Sequence, residues 1–372
     1  MPNGFSMIFL NKFGSRLKFQ TEALPEFAFD WTGEVKPATL TVQATAARHR
    51  FQADFAGGAR LVIVKRRPSI TSAEGSPSAV AAQSSAVPGP VFLGYSQEQL
   101  DKAYDQSFWA PQMAELEAND GTTSAAVRLA MPPRTEQYGQ SDVDLIDIFA
   151  PADARGVPVL VFIHGGAWTR NTRQDASFPA PTLVGRGAAY LAPDFGSLKT
   201  ARLPDMVENC RRAIEWTVRN AGRFGGDPNQ VFLSGHSSGA HLAACALITD
   251  WTKYGLPADA VRGAMLMSGM FDLYPVLLSS RRSYLDITAE EEAAFSPMRH
   301  LDRITCPIAV VSADEDSPEL KRQSAVFADA LEGMGRLASR TVVFNTNHFQ
   351  EPEQLGRADS SVSQVAFSLM GL

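Results

Sequence analysis

The sequence predicts an α/β fold in which a mostly parallel β-sheet is covered by helices on both faces. Two observations lead to this prediction: short apolar runs that lack polar alternation, and helical patterns that separate one run from the next. Both features recur throughout residues 91–372. With 372 residues, of which 45% are hydrophobic, the chain is long enough for one large domain and an appended segment.

The first ninety residues have a different texture. Residues 38–46 and 60–65 favour strands. Residues 69–90 are rich in Ser, Ala, Pro and Gly, a composition that is typical of a flexible linker. The sequence therefore predicts an N-terminal extension over residues 1–90, either a small accessory element or a partly disordered segment, before the main domain at 91–372.

Within the main domain, Ser96 is a candidate cap for a helix predicted over residues 96–119. The strands predicted after it are 144–149, 158–163, 188–192, 231–233, 261–267, 308–311 and 340–344. The helices predicted between and after these strands are one around Leu183, then 204–220, 238–248, 318–334 and a last one from about 361. Because no Gly-x-Gly-x-x-Gly follows a strand, a dinucleotide-binding fold is not indicated.

Charge and cysteine content narrow the functional classes. The formal net charge is -6, which offers no electrostatic footprint for nucleic acid or an anionic membrane. Three cysteines are too few for a disulfide framework, so we expect buried thiols in a reducing compartment. Neither a membrane-spanning run nor a signal peptide is recognisable, and the expected location is cytoplasmic.

The strongest chemical signal is Gly235-His236-Ser237-Ser238-Gly239, a Gly-x-Ser-x-Gly motif between a predicted strand and a predicted helix. This is the context of a nucleophilic serine, because the sharp turn holds the hydroxyl clear of the sheet. The helix that follows also points its N-terminal N–H groups at the site. The same five residues could form an ordinary tight turn, but the strand–turn–helix context favours a nucleophile at Ser237.

A second signal is His164-Gly165-Gly166-Ala167-Trp168, directly after the predicted strand at 158–163. Two glycines allow backbone N–H groups to turn inward and bind a developing oxyanion. By position, the candidate donors are the N–H groups of Gly166, Ala167 and Ser238. We interpret His164 as a structural residue of this loop and not as a base.

A serine nucleophile needs a base, and the base needs an orienting acid, in the chain order Ser, acid, His. Of the six histidines, only His348 follows both Ser237 and the acidic residues after the strand at 308–311. Asp314 and Asp316 compete for the role of the acid, and alternation along the strand does not choose between them. Asp272, at the end of the preceding strand, is a further option.

The remaining histidines do not suggest another kind of chemistry. His241 lies four residues after Ser237, and we expect it to pack or to hydrogen-bond on the helix. Neither His-Glu-x-x-His nor paired Cys-x-x-Cys is present, so the sequence predicts neither a metal nor a cofactor.

Together these motifs resemble those of the arylformamidase (kynurenine formamidase) group of α/β-hydrolases and its carboxylesterase relatives. The matching segments are 95–104, 164–168, 225–228, 235–242, 316–324 and 347–349. In that group the acid precedes Ser/Thr-Pro-Glu, so the resemblance favours Asp316 over Asp314. The first ninety residues have no counterpart in the group.

The resemblance implies an α/β-hydrolase catalytic domain with a Ser237–Asp316–His348 triad that cleaves a small-molecule ester or aryl amide through an acyl-enzyme. A non-catalytic ligand-binding protein on the same fold is the alternative. Compact hydrolases often self-associate, so a homodimer is compatible with the sequence. Five aromatic residues are candidates for the wall of the pocket, although aromatic side chains at such positions more often belong to the plain core: Tyr104, Trp109, Trp168, Phe271 and Phe349.

Overall fold

A computed structural model describes residues 89–372 throughout and, among the first 88 residues, the backbone of five strands. The chain divides into two compact units, Met1–Gly89 and Pro90–Leu372. The strands of the first unit are β1 (Gly4–Leu10), β2 (Arg16–Glu22), β3 (Thr39–Thr45), β4 (Arg48–Asp54) and β5 (Arg60–Arg66).

The three pairings described in the first unit are antiparallel: β1 pairs with β2, and β4 pairs with β3 and β5. The strands predicted at 38–46 and 60–65 are confirmed as β3 and β5, whereas β1, β2 and β4 were not predicted. Residues 69–88 of the predicted linker lie outside the described residues.

The second unit is built on one eight-stranded sheet. Its strands are β6 (Arg134–Gln137), β7 (Leu145–Phe149), β8 (Val157–Ile163), β9 (Ala189–Pro193), β10 (Gly226–His236), β11 (Gly263–Met267), β12 (Ile308–Ala313) and β13 (Leu337–Val343). Their spatial order is β13-β12-β11-β10-β8-β9-β7-β6. The pairs from β13 to β9 are parallel, and β7 pairs antiparallel with both β9 and β6. The expected mostly parallel sheet is therefore confirmed.

Strand β8 shows why the central strands read as unbroken apolar runs. Val159, Val161 and Ile163 are buried in one hydrophobic core, and Leu160 and Phe162 are buried in a second core. Because successive side chains of a strand point to opposite faces, both faces of the sheet are covered.

The helices that cover the sheet begin with three after the N-terminal segment: α1 (Gln97–Tyr104), α2 (Gln106–Trp109) and α3 (Met113–Ala130). Those that follow are α4 (Ala180–Gly185), α5 (Leu203–Asn220), α6 (Ser238–Leu247), α7 (Tyr274–Leu278), α8 (Ala289–Ala294), α9 (Pro318–Gly333), α10 (Gln350–Glu353) and α11 (Ser361–Met370). Residues of α5, α6 and α9 lie in the first core, and residues of α4 and α11 lie in the second. Helices on both faces match the predicted architecture.

The single helix predicted over residues 96–119 is wrong, since the structure has three helices there. Ser96 does cap α1, and it forms a reciprocal capping box with Gln99. Asp105 then ends α1 and caps α2 through its side chain. Pro111 lies between α2 and α3, where a proline cannot supply the N–H that a continuous helix requires.

All three cysteines are buried free thiols, as expected. Burial raises the pKa of Cys245 to about 12 and that of Cys306 to about 11, which keeps both thiols protonated and unreactive. Among the helices that the structure describes, none has the length and apolar character needed to cross a bilayer.

Candidate active site

Ser237 occupies a strained turn between β10 and α6. Its φ is 55° and its ψ is -121°, a conformation that a residue with a side chain rarely adopts. The flanking glycines make this turn feasible. A Cβ at Gly235 would lie 2.5 Å from the carbonyl oxygen of Gly239, and a Cβ at Gly239 would overlap the carbonyl oxygen of Ile163. The motif predicted from the sequence therefore forms the sharp strand-to-helix turn that is typical of a nucleophilic serine.

The loop after β8 is held in an unusual backbone conformation next to this turn. Gly166, Ala167 and Trp168 have φ values of 112°, 54° and 60°. The Trp168 N–H donates to the Ser238 Oγ at 3.2 Å, which ties the loop to helix α6. Within residues 89–372 the N–H groups of Gly166 and Ala167 donate to no protein backbone carbonyl, and Ser238 begins α6, where N–H groups lack intrahelical acceptors. These three groups are thus available to a ligand.

His164 stabilises the same loop through contacts of its buried imidazole ring. Its Nδ1–H donates to the Gly165 carbonyl at 2.9 Å, and its ring stacks on Phe195 with 4.2 Å between centroids. Its Nε2 lies 3.9 Å from the carboxylate of Asp194, which in turn accepts the Arg173 N–H at 2.7 Å. Burial lowers the pKa of His164, so the ring is neutral and serves the loop structurally.

The structure brings His348 and Asp316 together. The His348 Nδ1–H donates to Asp316 Oδ2 at 3.0 Å, and Asp316 Oδ1 accepts the Ser317 N–H at 2.7 Å. Both side chains are almost fully buried, with 2% and 1% exposure. Because Nδ1 carries the proton that bonds to the carboxylate, Nε2 of His348 is left with a lone pair that can accept another proton.

The competing carboxylates are engaged elsewhere. Asp314 accepts the Thr346 N–H at 3.2 Å, and Asp272 accepts the Tyr274 N–H at 3.1 Å. Neither makes a hydrogen bond to His348 within the described part of the chain. Each of these two acids orders its own loop.

His241 uses both of its ring nitrogens in structural hydrogen bonds. Its Nε2–H donates to the Phe295 carbonyl at 2.8 Å, and its Nδ1 accepts the Trp168 Nε1–H at 3.3 Å. Burial lowers the pKa of His241 to about 4, although the Phe295 carbonyl raises it slightly. The ring packs and hydrogen-bonds on α6, as the sequence analysis expected.

The sequence did not predict that two further buried residues, His236 and Glu351, lie close to His348. The ring of His236 lies 4.4 Å from the ring of His348, and its Nε2 lies 3.7 Å from Glu351 Oε2. Glu351 is fully buried. Glu351 lies three residues after His348, at the start of α10. This spacing is the only sequence signal that could have predicted the proximity of Glu351 to His348.

A cavity of 760 Å³ opens at Ser237 and His348. Six aromatic side chains contribute to its lining: Tyr104, Phe108, Phe162, Phe178, Tyr284 and Phe349. Of the five aromatic candidates from the sequence, Tyr104 and Phe349 line the cavity. A pocket of this size suits a small molecule.

The other three candidates, Trp109, Trp168 and Phe271, do not line the cavity. Phe271 stacks on Phe327 in the core, with 3.9 Å between ring centroids. Trp168 donates its Nε1–H to Nδ1 of His241, and Trp109 donates its Nε1–H to the Lys102 carbonyl at 2.9 Å. A sequence position cannot reveal which way these rings point.

Tyr104 connects the pocket wall to the start of α9. Its hydroxyl donates to Glu319 at 2.9 Å and accepts from Gln323 at 2.9 Å. Its carbonyl accepts two hydrogen bonds from Arg281, at 3.0 and 2.8 Å. Because α9 follows directly after Asp316, these bonds fix the pocket wall relative to the candidate acid.

Charged side chains of both signs complete the lining of the cavity: Asp101, Lys102, Asp105, Glu117, Asp120, Arg170, Asp175 and Arg281. Burial and the neighbouring carboxylates raise the pKa of Asp120 to about 8. A lining that mixes aromatic and charged groups suits a small polar substrate better than a long apolar chain.

Comparisons with known proteins show which families this chain is similar to. The BD-FAE family model matches residues 146–258, which include both the loop after β8 and the turn at Ser237. The kynurenine formamidase of Danio rerio is 30% identical over 289 residues, a match that covers 74% of this chain and 97% of the relative.

Two further comparisons extend the similarity to esterases. The isoprenylcysteine alpha-carbonyl methylesterase ICME of Arabidopsis thaliana is 28% identical over 60% of this chain and 59% of its own length. The structure of Thermogutta terrifontis esterase 2 superposes with a TM-score of 0.54 and 24% identity, covering 65% of this chain and 95% of that one. This structural likeness confirms the α/β-hydrolase fold.

Proposed function

Because the chain belongs to the kynurenine formamidase family of α/β-hydrolases, and is therefore a hydrolase, we propose that it cleaves small aryl formamides by serine catalysis. The proposed triad is Ser237 as nucleophile, His348 as base and Asp316 as the orienting acid. The observation that carries this proposal is the buried His348–Asp316 hydrogen bond beside a cavity that is lined by both His348 and the strained residue Ser237.

In the first half of the reaction, the Ser237 Oγ attacks the carbonyl carbon of the substrate while its proton passes to Nε2 of His348. Asp316 holds the reactive tautomer and stabilises the imidazolium. The carbonyl π electrons move to oxygen, where the N–H groups of Gly166, Ala167 and Ser238 bind the oxyanion. Each such donor lowers the barrier by about 3 kcal/mol.

In the second half, His348 returns the proton to the leaving amine as the carbon–nitrogen bond breaks, and the acyl group remains on the serine. Water then attacks this ester, with His348 as base, and Ser237 is released with its proton restored. For a formamide the products are formate and an aromatic amine. For an ester the leaving group is an alcohol, and the steps are otherwise the same.

The formamide is favoured as substrate because the Danio rerio relative, which this chain covers almost end to end, is named a kynurenine formamidase. The aromatic and charged side chains of the cavity fit an arylamine with polar substituents. Short-chain esters are the second candidate, since the Arabidopsis thaliana relative is named a methylesterase.

A paired assay separates these candidates. N-formylkynurenine and p-nitrophenyl acetate are presented to the wild type and to Ser237→Ala at matched concentrations. We expect a higher kcat/KM on the formamide and loss of both activities in the variant, by about 10⁵-fold or more. Undiminished turnover in Ser237→Ala contradicts the mechanism, and a higher kcat/KM on the ester contradicts only the substrate assignment.

We also propose that residues 91–372 form the complete catalytic domain. The separate compact unit Pro90–Leu372 contains all the candidate active-site residues. A chain that starts at Val91 should keep the kcat of the full-length protein within about twofold. A loss of more than tenfold at unchanged thermal stability indicates that residues 1–90 take part in the reaction.

A further inference from the structure

The carboxyl group of Glu351 is buried without the hydrogen bonds that such a group needs. The side chain is 0% exposed, and neither carboxyl oxygen has a hydrogen-bond partner among the described residues. Burial raises the pKa of Glu351 well above its usual range, an effect that the nearby Ser268 hydroxyl opposes without meeting hydrogen-bond geometry. An orphaned buried carboxyl is costly and requires an explanation in the form of a ligand or a function.

A second orphaned atom faces this carboxyl group. The Nε2 of His236 has no hydrogen-bond partner in the described part of the chain, and it lies 3.7 Å from Glu351 Oε2. This separation is too long for a hydrogen bond. Two ligand atoms that lie about 2.0–2.1 Å from a tetrahedral zinc ion are roughly 3.3–3.4 Å apart. A small side-chain adjustment would therefore place both atoms on one metal ion.

His348 supplies a third ligand. One ring nitrogen of His236, one ring nitrogen of His348 and one carboxylate oxygen of Glu351 all lie within 4.8 Å of one another, and all three residues are buried. Two histidines and one glutamate are a donor set that zinc accepts with a water in the fourth position. His236 and His348 both line the cavity, so a cation can reach the cluster from the substrate side.

We propose that His236, His348 and Glu351 bind a zinc-class divalent cation and that this cation inhibits the enzyme. The binding site stands on the cluster alone, whereas the inhibition rests on the function proposed above. A metal on Nε2 of His348 occupies the lone pair that accepts the serine proton. A metal on Nδ1 breaks the hydrogen bond to Asp316. Either arrangement removes His348 as a base.

The charge around the cluster favours a cation. Asp316 accepts the hydrogen bond of His348 at 3.0 Å, so a carboxylate lies directly beside the cluster. A divalent cation would be attracted by that charge and would give the buried Glu351 and His236 side chains the partner that they lack. The cluster thus explains three buried atoms that the proposed reaction does not use.

Binding is tested on the metal-free full-length protein by calorimetric titration with zinc, and with cobalt as a visible-absorption probe of the coordination geometry. We expect one equivalent to bind in the wild type, and the affinity to fall at least about tenfold in both Glu351→Gln and His236→Asn. The matched control is Glu353→Gln, the same change on the same helix outside the cluster. It should bind zinc as the wild type does.

Inhibition is measured in parallel, by hydrolysis of both substrates and by phosphonate labelling of Ser237 with and without zinc. Zinc should block both in the wild type and in Glu353→Gln, and about tenfold more zinc should be needed in Glu351→Gln. Absence of zinc binding, or equal affinity in the wild type, Glu351→Gln and His236→Asn, overturns the site. Zinc binding that depends on Glu351 in a protein without hydrolase activity keeps the site and refutes the proposed function instead.

Discussion

His348 and His241 are both buried histidines that follow Ser237 in the chain, but they have different surroundings. His348, on the loop after β13, bonds to Asp316 through Nδ1 and lines the cavity. His241, on α6, forms hydrogen bonds to Trp168 and Phe295 through its two ring nitrogens and does not line the cavity. Burial is nearly complete for both, so burial does not distinguish them. An orienting carboxylate and one uncommitted nitrogen are what fit a histidine for proton transfer.

The largest predicted effect is the loss of activity when His348 is replaced. His348→Ala should lower kcat by about 10⁶-fold, because the serine loses its proton acceptor and the triad acts as a unit. His241→Ala should lower kcat by less than about tenfold at a temperature where it remains folded. Steady-state kinetics on both variants provide the measurement, and equal losses in the two contradict the comparison.

The next effect concerns the carboxylate that orients His348. Asp316→Asn should lower kcat by about 10⁴-fold, since an amide can stabilise neither the reactive tautomer nor the imidazolium. The matched control is Asp314→Asn, two residues away on the same loop, for which we expect a change within about twofold. If Asp314→Asn proves the more damaging variant, the acid has been assigned to the wrong residue.

A smaller effect is expected at the loop that carries the oxyanion donors. Gly166 has a φ of 112°, and a Cβ there would overlap the Arg170 carbonyl oxygen. Gly166→Ala should therefore displace the loop and reduce kcat by about 10²–10³-fold with little change in KM. Gly185→Ala on α4, where a Cβ meets nothing within 4 Å, serves as the control and should leave kcat unchanged. A Gly166→Ala variant with wild-type kcat removes the loop from the mechanism.

The smallest expected effect is the contribution of His241 to the pH dependence of folding stability. The pKa of His241 is about 4 in the folded protein, below the ordinary value of 6.5. The unfolded chain therefore binds a proton that the folded chain does not, and stability is lost as the pH falls from 6.5 towards 4. The loss attributable to His241 amounts to about 2 kcal/mol at pH 5.

Urea unfolding at pH 7 and pH 5 measures this loss of stability. The free energy of unfolding of His241→Asn should be lower than that of the wild type at pH 7, because two hydrogen-bonding groups lose their partner. It should also fall less between the two pH values, while the other buried histidines contribute equally to both proteins. The same pH dependence in both proteins contradicts a buried neutral His241.

Much of this architecture could be read from sequence because it depends on local patterns. The apolar run at β8 and the glycines around Ser237 specify a buried strand and a sharp turn through periodicity and steric space alone. The order of residues along the chain also singled out His348 among six histidines. The break at Asp105 was missed, since a helical pattern continues across it and only the local capping shows where α1 ends.

The features that the sequence did not predict depend on long-range contacts. Spacing left Asp314 and Asp316 equivalent, and only the family resemblance preferred the residue that the structure places against His348. The inward turn of Phe271 onto Phe327 and the meeting of Glu351 with His236 arise from the packing of distant elements. No local periodicity encodes such contacts.

The central claim, that Ser237 is activated by His348 and not by His241, is tested most directly by the rate of covalent labelling. A fluorophosphonate is reacted with the wild type, Ser237→Ala, His348→Ala and His241→Ala, and the adduct is located by mass spectrometry. We expect an adduct on Ser237 in the wild type and none in Ser237→Ala. Labelling should be slower by at least 10³-fold in His348→Ala and near the wild-type rate in His241→Ala. Rapid labelling of His348→Ala, or an adduct on another residue, would contradict it.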